Sequence, residues 1–62
     1  MFSITYEIRI SNEKTIEVPL NRKFYTLEEA KEEAKSNILA IGYRIFDCTG
    51  FRVFSERFEK NS

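Results

Sequence analysis

The chain has 62 residues, 42% of them hydrophobic and 15% aromatic, with ten Lys and Arg against ten Asp and Glu. That describes one domain over residues 1–62, too apolar for a disordered tail and small enough to hide only roughly 60% of its unfolded surface. No His, no Trp and a single Cys exclude zinc fingers, His-dependent acid–base chemistry, Ser-His-Asp triads and an intramolecular disulfide, while zero net charge leaves any attraction to nucleic acid or anionic membrane to local patches.

Phe2, Ile4, Tyr6, Ile8 and Ile10 occupy every second position, with Ser3, Thr5, Glu7 and Arg9 between them. A period of two is the mark of a half-buried strand. Ser11-Asn12-Glu13-Lys14 reads as a turn, because Ser and Asn side chains bond to local backbone and compete with a ladder. Ile16, Val18 and Leu20 then resume the alternation over Thr15 to Leu20, which predicts an antiparallel hairpin. Pro19 has no N–H to donate, so the second strand ends there or lies at an edge.

Asn21 to Tyr25 reads as a connector. Thr26-Leu27-Glu28-Glu29 fits a capping box, with Thr26 capping the Glu29 amide and Glu29 reaching back. Leu27, Ala30, Ala34, Ile38 and Ile41 follow at spacings of three and four, a single apolar stripe. The predicted helix therefore runs from Thr26 to a stop at Gly42, where a positive φ is free of steric cost. Its two alanines allow close approach to a sheet.

Tyr43 to Cys48 and Phe51 to Phe58 read as a second hairpin turning through Thr49-Gly50. The expected fold is α+β: a four-stranded antiparallel sheet with one helix packed on one face, in the order ββαββ. If Tyr43, Ile45, Phe51 and Val53 face the helix, alternation sends Arg44, Phe46, Arg52, Phe54, Glu56 and Phe58 to the uncovered face. A register off by one residue, a bulge, or Phe58 folding around an edge would redistribute them. An exposed aromatic–arginine patch has the composition of a protein interface centre, and these six residues are the expected partner-binding set. Self-association of two chains through the same face would use the same residues.

Aromatic rings on an open sheet also stack on unpaired bases. Glu7, Glu17 and Glu56 on or near that face would repel phosphate, and the Gly-Phe-Gly-Phe core of the aromatic RNA-binding signature is absent, so nucleic acid is the weaker alternative. Glu28, Glu29, Glu32 and Glu33 with Lys31 and Lys35 read as a solvated helix face that complements the dipole, rather than as an imitation of a nucleic-acid backbone. Arg22-Lys23 beside Phe24-Tyr25 is a small basic–aromatic cluster, at most the rim of a contact. Cys48, with no His to deprotonate it, reads as a bystander, and Tyr6, Tyr25 and Tyr43 as packing residues. Glu28 and Glu32 lie on a convex face rather than in a cleft. No catalytic, metal or cofactor residues are expected, and the chain is not read as an enzyme.

Met1 to Ile10 lacks the basic and apolar regions of a signal peptide. The longest apolar run, Ile38 to Ile41, is far short of the roughly 20 residues that span a bilayer. With no cystine framework either, the expected location is the cytoplasm. With Met1 at one end and the polar Lys60-Asn61-Ser62 at the other, a complete short reading frame is the expectation.

The order strand, strand, Leu27-x-x-Ala30-Lys31-x-x-Ala34 helix, strand, Gly turn, aromatic strand resembles many small phage-encoded proteins, among them anti-CRISPR proteins. The resemblance spans roughly residues 2–58 as a pattern of elements. It implies a bacterial or archaeal host, a CRISPR effector complex as protein partner, and inhibition by occupying a nucleic-acid path or holding the effector inactive. The function expected is steric binding and inhibition of another protein. The alternative is a small nucleic-acid-binding regulator, dimeric through the same sheet face.

Overall fold

The computed structural model describes residues 1–58; the Lys60-Asn61-Ser62 end lies outside the described residues. The elements are β1 (Ser3–Ser11), β2 (Lys14–Pro19), α1 (Leu27–Lys35), β3 (Ala40–Phe46) and β4 (Arg52–Arg57). The strands form one antiparallel sheet in the order β2-β1-β3-β4, with α1 packed on β1 and β3. This is the expected ββαββ, α+β arrangement.

The alternation of β1 is used as far as Ile8; Ile10 falls where the register with β2 shifts between Arg9 and Ser11, and is exposed. Ile4 and Tyr6 are buried beneath the helix, opposite Ile45 and Tyr43 of β3. Ile4 and Ile45 are almost wholly buried, and each such side chain contributes about 1.5–3 kcal/mol. β2 is an edge strand and ends at Pro19. Phe24 joins the core from the connector, because Phe2 and Phe24 exchange backbone hydrogen bonds of 2.7 and 2.8 Å that extend the β1 ladder beyond Pro19.

The helix begins as the capping box requires. Thr26 Oγ1 accepts from the Glu29 N–H at 3.1 Å, and the Thr26 N–H donates to Glu29 Oε1 at 3.2 Å. Ala30 and Ala34 are fully buried, bringing the helix axis close to the sheet. The helix stops at Lys35, however, not at Gly42. Ser36 Oγ donates to the Glu33 carbonyl at 2.7 Å and Asn37 Oδ1 accepts from the Leu39 N–H at 3.0 Å. Short polar side chains thus take over the backbone groups that would continue the helix. Ile38, expected on the apolar stripe, is 84% exposed.

Gly42 consequently lies inside β3, where it pairs with Glu7 on one side and Arg57 on the other. A Cβ there would stand 3.0 Å from the Glu56 carbonyl oxygen, so the close approach of β4 is what favours glycine. The positive φ, 88°, belongs to Gly50 in the β3–β4 turn, where an L side chain would be strained.

The second hairpin corrects the expected faces. Ile45 pairs with Phe54 and Tyr43 with Glu56, but Phe46 pairs with Arg52, leaving Val53 as the extra residue of a bulge. Residues directly opposite across a ladder share a face, so Phe54 and Glu56 follow Ile45 and Tyr43 to the helix side. Phe58, whose N–H donates to the Ile41 carbonyl at 2.7 Å, also packs against the core. Arg44, Phe46 and Arg52 remain on the open side. Phe51, expected beneath the helix, falls outside the strand and is 70% exposed.

Candidate interaction surface

The open sheet face is a lattice of charge. Arg44 Nη1 reaches across β1 to Glu17 Oε2 at 2.6 Å, and Arg57 Nη2 lies 3.6 Å from Glu7 Oε2. The second pair is possible because Gly42 stands between Arg57 and Glu7 in the ladder and presents no side chain. Exposed pairs of this kind stabilise by roughly 0–1 kcal/mol, but they neutralise two of the arginines that phosphate would need.

The six residues expected to form one patch are divided by the sheet. On the helix side, the Tyr43 ring lies 6.0 Å from that of Phe54 and 5.7 Å from that of Phe58. Lys31 Nζ sits 4.1 Å from the centre of the Phe54 ring, and the Tyr43 hydroxyl donates to Glu56 Oε1 at 2.8 Å. Burial, with the hydrogen bond to Glu56 and its charge, raises the Tyr43 hydroxyl well above its usual range. Burial likewise raises Tyr6, with the Glu33 charge adding and a hydrogen bond from Asn37 opposing. Phe54, Glu56 and Phe58 thereby act as a lid on the edge of the core.

Phe46 and Arg52 are brought together on the other face, at the end of the sheet where β3 turns into β4. Asp47 organises this turn. Its Oδ1 accepts from the Thr49 hydroxyl at 2.6 Å, the Thr49 N–H at 2.9 Å and the Phe51 N–H at 3.0 Å. These bonds hold the Asp47 carboxyl below its ordinary value, the Thr49 hydroxyl foremost. By tying the Phe51 amide to the turn, Asp47 keeps Phe51 out of the strand and leaves its ring in solvent. Next to the turn lies an open groove of about 460 Å³, lined by Met1, Ser3 and Lys23 together with Phe46, Asp47, Cys48 and Gly50.

Sequence reasoning placed Phe51 in the core and gave Met1 no role. The signal was nevertheless present: Asp47-x-Thr49-Gly50 is an Asx-type turn, whose side chain captures the amides that follow it. Lys23, read as a rim residue, does lie beside the groove. Arg22 instead ion-pairs with Glu33 at 3.3 Å and stacks 4.9 Å from the Phe24 ring centre. The acidic helix face is engaged locally, with Glu29 in the capping box, Glu33 on Arg22 and Glu28 within 3.9 Å of Lys31.

Among the described residues no three Cys, Asp or Glu side chains cluster as metal ligands would, and no helix is long and apolar enough to cross a membrane. Comparison of the chain with protein-family models, with curated proteins and with solved structures finds no match.

Proposed function

We propose that this chain is a binding protein that acts by steric contact with another protein, through the β3–β4 turn end of the sheet. The observation that carries this reading is the exposed Phe51 ring, which in the chain joins Gly50 of the Met1–Lys23 groove to Arg52 of the Phe46–Arg52 pair. An aromatic ring held out by a rigid turn, flanked by Arg and an apolar floor, is the composition of an interface anchor. Phe46 and Arg52 stay in the proposed contact set, and Phe51 joins it where Phe54, Glu56 and Phe58 leave it for the helix side. Small phage-encoded proteins of the anti-CRISPR kind, which the element order resembles, work by contact of this type, and a CRISPR effector complex is the partner that resemblance offers.

Binding of the immobilised chain to purified CRISPR effector complexes and to single-stranded nucleic acid, at about 50 and about 200 mM salt, tests the reading. The expected result is capture of an effector complex with little salt dependence, lost in Phe51→Ala and Arg52→Glu. Binding of nucleic acid that collapses with salt would replace this reading with the regulator alternative.

A further inference from the structure

We infer that β2 is a docking edge for a second copy of this chain, the two β2 strands pairing antiparallel about a two-fold axis at Ile16. The direction of the backbone groups carries the first half of this. The Leu20 N–H donates to the Ile4 carbonyl at 2.9 Å, and the pairing of Thr5 with Pro19 sets Leu20 directly opposite Ile4. In an antiparallel ladder such bonded pairs alternate with unbonded ones. Val18 and Ile16 therefore turn their N–H and C=O groups to Tyr6 and Ile8, whereas Thr15 and Glu17 turn theirs away from the sheet. Pro19 holds the next outward position and offers a carbonyl only. Every residue of β2 is exposed, and the helix covers only β1 and β3. Ile16 and Val18, on the helix side of the sheet, remain 39% and 37% exposed. Such a strand is a template for pairing.

The sequence of β2 then selects the register and the occupant. Outward groups meet only if Thr15 and Glu17 pair with one another or with themselves. Centring on Glu17 opposes two carboxylates and sets Thr15 against the missing donor of Pro19. Centring on Thr15 sets Glu13 against Glu17. Centring on Ile16 places Thr15 opposite Glu17 of the second copy, twice, each pair exchanging both of its N–H···O=C bonds. Lys14 then meets Val18, and the two Ile16 side chains close over the axis. The strand is thus complementary to itself in one register, which a second copy satisfies and an unrelated strand matches only by coincidence. β4, the other edge, is protected by its bulge at Val53, and its helix-side Phe54 and Glu56 already have partners in Lys31 and Tyr43. The contact is isologous, each copy using its β2 edge once, so the pairing closes as a dimer rather than extending into a fibre. The two turn ends would point in opposite directions, giving a two-headed binder.

Sedimentation equilibrium on the full chain tests the proposal. The wild type is expected to dimerise. Ile16→Lys, and a synthetic chain N-methylated at the Thr15 amide, are expected to weaken the dimer at least about tenfold, losing the apolar seam and the outward donors respectively. The N-methylated chain keeps its side chains and its β1 ladder, so it decides the matter even if Ile16→Lys fails to fold. In a Cys48→Ser background, Ile16→Cys should cross-link on mild oxidation, because unbonded cross-strand pairs stand about 4.5 Å apart at Cα, within disulfide reach. Glu17→Cys should not. A wild type that stays monomeric, association untouched by the N-methyl group, or cross-linking as fast through Glu17→Cys would overturn the proposal. So would association lost in Phe51→Ala instead.

Discussion

β2 and β4 are the two edges of one sheet, and the helix side of each is finished differently. On β4, Phe54 lies under the Lys31 ammonium, Glu56 is held by the Tyr43 hydroxyl, and Phe58 closes on the Tyr43 ring. On β2, Ile16 and Val18 stay partly bare. A helix running only from Leu27 to Lys35 covers two strands, so each edge has to be completed by long side chains or left open. Lys31 does this for β4, its alkyl stem lying along apolar surface while its charge stays near water. The contrast separates an edge built for stability from an edge available for contact.

The sharpest way to break that contrast is to truncate the finished β4 edge and, as its control, the exposed ring of the turn that precedes it. Phe54→Ala should cost about 2–4 kcal/mol, since it removes a partly buried ring from the core margin. Phe51→Ala should stay within about 0.5 kcal/mol, because an exposed ring leaves no cavity. Chemical denaturation compares the two directly. Equal losses would show that Phe54 does not close the core.

Ala34→Leu acts on the helix that both edges depend on. A larger side chain at this fully buried position should cost about 1–3 kcal/mol by lifting the helix off the sheet. An unchanged denaturation midpoint would mean that the helix sits farther from β1 and β3 than described.

Tyr43→Phe sharpens the comparison from the β4 side. Losing the hydroxyl that donates to Glu56 should cost about 1 kcal/mol near neutral pH. The folded-state value of Tyr43 is raised, so the stability linked to it is fully present below about pH 10, the unfolded value, and declines as pH rises beyond it. The gap between wild type and Tyr43→Phe should therefore narrow in alkaline melts, while both lose what Tyr6 contributes.

The smallest effect is expected at the turn. Asp47 is depressed in the folded chain, so its contribution is present above the unfolded value, about pH 4, and is lost as pH falls through the folded one. Protection of the Thr49 and Phe51 amides from exchange, relative to the intrinsic rate at the same pH, should fall there, with the melting temperature barely moved. Asp47→Asn should abolish this acid dependence.

The first hairpin was legible because its two phases differ in kind. Every inward position from Ile4 to Ile8 is apolar or Tyr, and every intervening one is Thr or Glu. The β4 segment offers no such contrast, since Phe51 and Val53 hold one phase and Phe54 and Phe58 the other. Alternation separates those two sets without saying which is inward. The candidate surface inherited this ambiguity: Arg44, Phe46 and Arg52 were legible, whereas Phe54, Glu56 and Phe58 changed faces and Phe51 took their place at the surface.

Periodicity, the capping box and the Pro19 edge signal determined the element order, the helix start and the first hairpin by themselves, because each depends on residues within a few positions of one another. The helix end, the place of Gly42 and the β4 faces were decided by tertiary structure. Ser36-Asn37 ended the helix in competition with an equally good apolar stripe, and β3 drew Ala40 into the sheet opposite Ile8 of β1. One inserted residue at Val53 then set Phe46 against Arg52, while Ile45 kept Phe54 on the helix side. A bulge moves every later side chain relative to its partner strand, and only the paired strand shows where it falls.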